Sequence, residues 1–227
     1  MAKVLGVLGG MGPQATVDFM QKLVDFCNAD GDGGHLRVIV DSHPQIPDRT
    51  AAILRGGASP VPAMGESLAN LARCGVQVVA MPCVTAHYFL RGLNIPPDML
   101  FLNMPQIAAD VCARRFAGAA AGVLATPGTA AAGVVDAAFT GTPLVYPDDN
   151  DQERLWRLIK DVKAKRPLDA VTVVFDEIVR RMKERGADYF LLACTEVPII
   201  AAAYDFPFAY VDCTAELARV AVAAVCD

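Results

Sequence analysis

Two stretches far apart in the chain share one layout, and that layout restricts the fold more than any other feature. Val76-Gln77-Val78-Val79-Ala80 is a short apolar, β-branched run that reads as a buried parallel strand. It stops at Met81-Pro82-Cys83-Val84-Thr85-Ala86-His87. Much later, Ala187-Asp188-Tyr189-Phe190-Leu191-Leu192-Ala193 runs into Cys194-Thr195-Glu196-Val197-Pro198. A thiol and a threonine thus arrive twice at the carboxyl end of a strand, where parallel α/β proteins hold their ligands. Two such corners predict two thiols serving one site.

A second repeat supports the first. Residues 3–8 form an apolar run ending in Gly9-Gly10-Met11-Gly12-Pro13, and Gly122-Val123-Leu124-Ala125-Thr126-Pro127-Gly128-Thr129 has the same order of strand, small-residue turn and helix start. Cys83 lies 77 positions after Gly6, and Cys194 lies 72 after Gly122. One βαβ plan used twice is the natural reading. The chain is therefore expected to be α/β: two similar subdomains with mainly parallel sheets flanked by helices, related by a pseudo-twofold axis. Residues 1–103 plus 209–227 would make the first subdomain and 104–208 the second.

Periodicity and breakers place the remaining elements. Helices are expected over 15–27, 60–74, 104–116, 148–163, 168–185 and 214–225, with Arg166-Pro167 parting two of them. Strands are expected over 36–40, 144–146 and 208–211, the last returning to the first sheet to tie the halves together. Residues 41–50, too polar and Pro-rich to be regular, form a loop offering His43, Asp48 and Arg49, and such loops tend to carry function. The alternative is a surface loop with a solvated arginine.

Composition narrows the function. A formal net charge of −5 with no Lys/Arg run argues against nucleic acid as a partner. No apolar run approaches the roughly 20 residues of a membrane-spanning helix, and the N-terminus lacks a signal-peptide layout. Seven cysteines without a CxxC framework argue against a disulfide scaffold, so a cytoplasmic, reduced-thiol protein is expected.

The corners then define the chemistry. A cysteine where a helix begins sits at the positive end of its dipole, which lowers thiol pKa. The following N–H groups and a threonine hydroxyl can hold a carboxylate, and Thr85 can cap the helix after Cys83. The Gly9–Gly12 turn brings bare backbone to the end of the first strand, as an anion site or a plain tight turn. If Cys83 and Cys194 face each other, one thiolate can remove a proton from a carbon acid while the other thiol returns one to the opposite face. That racemisation or epimerisation requires no metal or organic cofactor. Zinc held by Cys83, His87 and Cys194, or a cysteine hydrolase using His87, are the weaker alternatives. Cys27, Cys74, Cys112, Cys213 and Cys226 read as inert thiols.

Taken together, the glycine turn with Ala15-Thr16, Pro44-Gln45-Ile46-Pro47-Asp48-Arg49-Thr50, Pro82-Cys83-x-Thr85-Ala86-His87 and Cys194-Thr195-Glu196-Val197-Pro198 resemble the aspartate/glutamate racemase family. The resemblance runs from about residue 3 to 225 and is nearer the aspartate branch, because the second corner reads Cys-Thr-Glu rather than Cys-Thr-His. It implies a cofactor-independent two-base racemase of a dicarboxylic amino acid, usually a homodimer, with Cys83 and Cys194 catalytic. It also implies that Thr85 and Thr195 hold the α-carboxylate, and that Arg49 and Lys163, or its neighbour Lys165, hold the side-chain carboxylate. Met11, Gly12, Val84 and Glu196 complete the implied substrate-binding set. The chain departs from the family pattern at Val84, where Asn is usual, and at Ala193, where Gly is usual. The Val84 departure keeps two alternatives open: a related isomerase or decarboxylase of another small acid, or a non-catalytic binding protein.

Overall fold

A computed structural model of the chain describes residues 3–167 and 171–226. The first half runs β1 (Leu5–Gly9), α1 (Pro13–Phe26), β2 (Val38–Ser42), α2 (Arg49–Arg55), α3 (Val61–Arg73), β3 (Val78–Ala80), a 3-10 helix over Thr85–Gly92, β4 (Leu100–Leu102) and α4 (Met104–Arg115). The second runs β5 (Ala121–Leu124), α5 (Pro127–Ala131), α6 (Val134–Ala138), β6 (Leu144–Val145), α7 (Asp149–Lys163), α8 (Val171–Glu184), β7 (Tyr189–Leu192), α9 (Val197–Tyr204), β8 (Tyr210–Asp212) and α10 (Cys213–Cys226). Two four-stranded sheets result, ordered β2-β1-β3-β4 and β6-β5-β7-β8, and every pairing is parallel. The repeat in the sequence is thus a repeat of topology.

The central strands β1, β3, β5 and β7 are buried along their whole length. Parallel strands covered by helices on both faces have no solvent side, so their sequences are continuous apolar runs rather than alternating ones. Because the strands are parallel, the Gly10–Gly12 turn and the Met81–Cys83 corner leave the first sheet at the same edge. The turn after β5 and the Cys194 corner do the same in the second. One apolar core joins the halves, with Val7 and Ala80 of the first sheet in the same cluster as Val123 and Leu191 of the second.

Several expectations are corrected. The last strand does not return to the first sheet: Leu191 and Leu192 of β7 pair with Val211 and Asp212 of β8, which closes the second sheet. Only helix α10 crosses back, packing on α1, α4 and β3. The strand expected at 36–40 lies two residues later, because Asp41 and Ser42 pair with Leu8 and Gly9. At a sheet edge those polar side chains need no apolar cover. The irregular loop ends earlier than expected, since Asp48 accepts a hydrogen bond from Ala51 N–H and caps α2 at Arg49. Thr85 caps nothing; Val84 occupies the cap position of the following helix. The helix expected over 168–185 is seen from Val171, its first three expected residues lying outside the described ones.

Gly10 is where the turn depends on a missing side chain. Its φ is +88°, and a Cβ there would lie 2.4 Å from the backbone N and C of His43. Gly10→Ala therefore combines left-handed backbone, costing roughly 1–2 kcal/mol, with a clash against main chain of about the same size. The expected outcome is about 3 kcal/mol of lost stability, seen as a melting temperature lowered by roughly 10 °C in thermal denaturation followed by circular dichroism.

Candidate active site

One cleft between the sheets gathers residues from both halves: Met11, Asp48, Arg49, Thr50, Cys83, Val84 and Thr85 from the first, and Thr126, Lys163, Ala193, Cys194, Thr195 and Glu196 from the second. Both cysteines and all the substrate-binding residues implied by the resemblance line it except Gly12, whereas His43, whose Nδ1 lies 3.0 Å from Ser67 Oγ, and His87 do not. That glycine borders it, since a Cβ there would approach Glu196 Oε1 at 3.8 Å. Lys165 is exposed, with a left-handed φ of 54°, so Lys163 is the lysine brought into the cleft. Asp48, offered by the 41–50 loop, also lines the cleft, while Thr50 and Thr126 were not foreseen there. Thr50 closes the Pro44–Thr50 motif, and Thr126 takes the place of Gly10 in the second glycine turn.

The Cys83 corner is built on backbone bonds. Cys83 N–H donates to Met81 O at 2.8 Å, which turns the chain sharply out of β3. His87 stands behind the corner. Its Nε2 accepts from Met104 N–H at 3.1 Å, so Nδ1 carries the proton and donates to Cys83 O at 2.9 Å. Burial pushes its pKa down to about 4, so the ring is neutral at physiological pH. Both nitrogens are engaged away from the thiol, which leaves His87 neither a partner base nor a ligand beside Cys83. Among the described residues, no three His, Cys, Asp or Glu side chains are grouped to hold a metal ion.

Thr85 reaches across the halves. Its hydroxyl lies 3.1 Å from that of Thr126 and 2.7 Å from that of Thr129, all three buried. Nearby, Gly128 packs so closely on α2 that a Cβ would sit 2.7 Å from Thr50 Oγ1. The halves are joined at the cleft floor by hydroxyls and small residues.

The Cys194 corner is electrostatically different. Cys194 Sγ donates to Glu196 Oε2 at 3.1 Å, and Thr195 Oγ1 donates to the same oxygen at 3.1 Å. Glu196 Oε1 has no hydrogen-bond partner and lies 3.9 Å from Lys163 Nζ. Burial, and then the Glu196 charge, hold the Cys194 thiol well above its ordinary pKa; Lys163 and the Glu196 N–H oppose the shift without cancelling it. The expected lowering by a helix terminus is therefore overturned at this corner, because desolvation of the thiolate outweighs it. Burial alone would lower the Lys163 ammonium, but Glu196 and the two thiols facing it raise its pKa instead.

Arg49 is held by main chain. Nη1 donates to Ile46 O and Pro47 O, both at 3.0 Å, and Nη2 donates to Met11 O at 3.2 Å. Its Nε is buried without a partner. Arg49 thus fastens the Pro44–Thr50 segment to the glycine turn while presenting charge to the cleft.

A cleft between two parallel sheets, with one thiol from each matched corner and two cations beside them, is the arrangement of an amino-acid racemase. The chain belongs to the Asp/Glu/Hydantoin racemase family, which it matches over residues 8–221, and it is an isomerase of that class. It is 22% identical over 230 residues to the broad specificity amino-acid racemase RacX of Bacillus subtilis, covering 95% of each chain. Among solved structures it is similar to Picrophilus torridus aspartate racemase, at 28% identity and TM-score 0.88, covering 98% of this chain and 94% of that one. An aspartate racemase homologue from Pyrococcus horikoshii OT3 shares the fold at 20% identity and TM-score 0.76, with all of both chains covered.

Proposed function

We propose that this racemase interconverts L- and D-aspartate, or glutamate, by cofactor-independent proton transfer between Cys83 and Cys194. The observation that carries the reading is that equivalent corners of two equivalent sheets deliver one thiol each to a single cleft. Their Sγ-bearing residues are 7% and 6% exposed, so bulk water does not compete for the α-proton. Arg49 and Lys163 suit a second carboxylate, and the aspartate racemase of Picrophilus is the relative that supports this substrate. The cleft holds only about 20 Å³ of water-sized space, room for about one water, so substrate must part its walls to bind. All seven cysteines are unpaired thiols, which fits the reducing cytoplasm. The reading includes the homodimer usual in the family, which sedimentation would test. Proton NMR of L-aspartate, D-aspartate and glutamate in heavy water tests the activity itself. Loss of the α-proton signal with inversion is expected for aspartate, and its persistence in all three would overturn the reading.

Val84 favours a second reading, a different small acid. It is 2% exposed, packs in the shared core and also lines the cleft, so an isopropyl group meets the substrate where an amide would offer hydrogen bonds. A bond to a charged group is worth roughly 1.5–3 kcal/mol. Val84→Asn is expected to raise kcat/KM for aspartate by about tenfold, measured by deuterium wash-in. No gain, with no exchange in the parent protein, would transfer the assignment to another acid.

A further inference from the structure

A second and much larger cavity lies on the seam between the halves. It offers about 680 Å³ of water-sized space, the size of a small-molecule pocket, against about 20 Å³ in the catalytic cleft. One wall is the Thr85–Gly92 helix from His87 onward, with the start of α4. The other is formed around α6 by Ala132, Gly133, Val134 and Ala137. The two spaces share no lining residue, yet the same two segments serve both. In the first half, Val84 and Thr85 line the cleft and the residues from His87 to Gly92 line the cavity. In the second, Thr126 caps the start of α5 at the cleft, and Ala132 caps its end at the cavity. Between them stand the bonded hydroxyls of Thr85, Thr126 and Thr129. His87, which donates to Cys83 O, is part of the cavity wall, so an occupant would touch a residue bonded to the first corner.

The lining has a definite chemistry. Tyr88 and Phe89 meet edge to face with ring centroids 5.0 Å apart, and Leu90, Val134 and the alanines extend the apolar surface. Tyr88 is 50% exposed, an aromatic ring left uncovered. Arg91 is the one charged side chain of the wall, and among the described residues no carboxylate pairs with it. The Asn103 side-chain oxygen accepts from Gln106 N–H at 3.2 Å, while its amide nitrogen bonds to no described group. In a chain of net charge −5, an apolar chamber with one uncompensated guanidinium selects a negative group on an apolar body. We propose that this cavity binds a small carboxylate with an aromatic body, and that its occupancy opposes opening of the catalytic cleft. The carboxylate would sit on Arg91 and Asn103 and the ring against Tyr88. The coupling, though not the binding, rests on the racemase reading above. Substrate must part the cleft walls. Rocking the halves about the threonine contact widens the cleft and narrows the cavity on its other side, which a filled cavity resists. Linkage makes the effect reciprocal: the occupant weakens aspartate binding by the same factor as aspartate weakens the occupant's.

Naphthylacetate, its neutral amide and naphthylmethylamine are suitable probes, each titrated by calorimetry into the whole protein. The acid is expected to bind with a Kd of about 1 mM or below, as its size allows. The amide should bind at least about tenfold more weakly, and the amine not detectably. Arg91→Gln should weaken the acid about tenfold or more, the worth of a hydrogen bond between charged groups. Ala137→Trp, which fills the chamber from α6, should abolish its binding, whereas Arg49→Ala should leave it unchanged. Arg91 and Ala137 are both exposed, so neither substitution should disturb the core. In steady-state kinetics, naphthylacetate should raise KM for aspartate about fivefold and then plateau, where a simple competitor would raise it without limit. Without the acid, Arg91→Gln should match the parent in kcat and KM. Failure of the acid to bind, equal binding of acid and amide, or binding that survives both cavity variants would overturn the site. Binding lost with Arg49→Ala would do so too, by moving the probe into the catalytic cleft. An unchanged or lowered KM would overturn the coupling. If the parent protein exchanges no α-proton with aspartate, the substrate reading fails, while calorimetry still decides whether the cavity takes a carboxylate.

Discussion

Cys83→Ser and Cys194→Ser are each expected to lower racemisation of aspartate by about a thousandfold or more, since positioned acid–base groups supply roughly 10²–10⁴ in rate and the proposed two-base mechanism uses both thiols in every turnover. Serine preserves size and a hydrogen-bonding proton, so burial at these two positions should be disturbed little. The defect should also have a direction. With Cys83 replaced, the Cys194 side can still remove a proton from the enantiomer that faces it, and return one to the same face. One enantiomer should then wash in deuterium without inversion, and the opposite enantiomer should do so in the other variant. Proton NMR with chiral chromatography reads both quantities. Parental turnover in either single variant would show that a thiol is dispensable and would end the two-base assignment.

The positions of these thiols were legible in the sequence for a simple reason. A buried parallel strand must be apolar throughout, so the runs before Cys83 and Cys194 announce themselves, and their carboxyl ends share one edge of a sheet. Short or exposed elements gave no such signal. Strand β4 spans three residues, of which Leu100 is half exposed and only Leu102 is buried. Strand β8 is equally short, and nothing in Tyr210-Val211-Asp212 states which sheet it joins; only its pairing with β7 does. Helix α2 was hidden behind prolines because its start is set by the Asp48 side chain rather than by periodicity.

Site residues divide along the same line. Residues carried by strand ends could be placed from sequence, whereas side-chain partnerships could not. Thr85 meeting Thr126 and Thr129 depends on how the halves pack, and Glu196 turning back to Cys194 depends on the rotamer allowed in a tight turn. Which of Lys163 and Lys165 reaches the cleft depends on where α7 stops. Ala164 follows as its C-cap, and Lys165 in left-handed backbone then leaves the helix line and points to solvent.

Arg49→Ala is expected to lower kcat/KM for aspartate by about a hundredfold, chiefly through KM, because removing one partner of a buried charged pair costs roughly 2–5 kcal/mol. The argument turns on which of the two cations is free to meet a carboxylate. Lys163 already faces Glu196 and shares its field. Arg49 donates only to the neutral carbonyls of Ile46, Pro47 and Met11, and its Nε is buried without a partner. Its charge is therefore the less compensated one, and a dicarboxylate should be held there first. Arg49→Lys separates the two duties of the side chain. A lysine retains the charge but cannot span three carbonyls in a planar fork, so it should recover part of the affinity while leaving the Pro44–Thr50 segment less firmly tied to Met11. Steady-state kinetics with aspartate and alanine side by side make the test specific. Alanine has no second carboxylate, so its poor turnover should be nearly the same in all three proteins. A parallel loss on alanine would mean that Arg49 shapes the cleft rather than reading the side chain, and unaltered aspartate kinetics would place it outside the site.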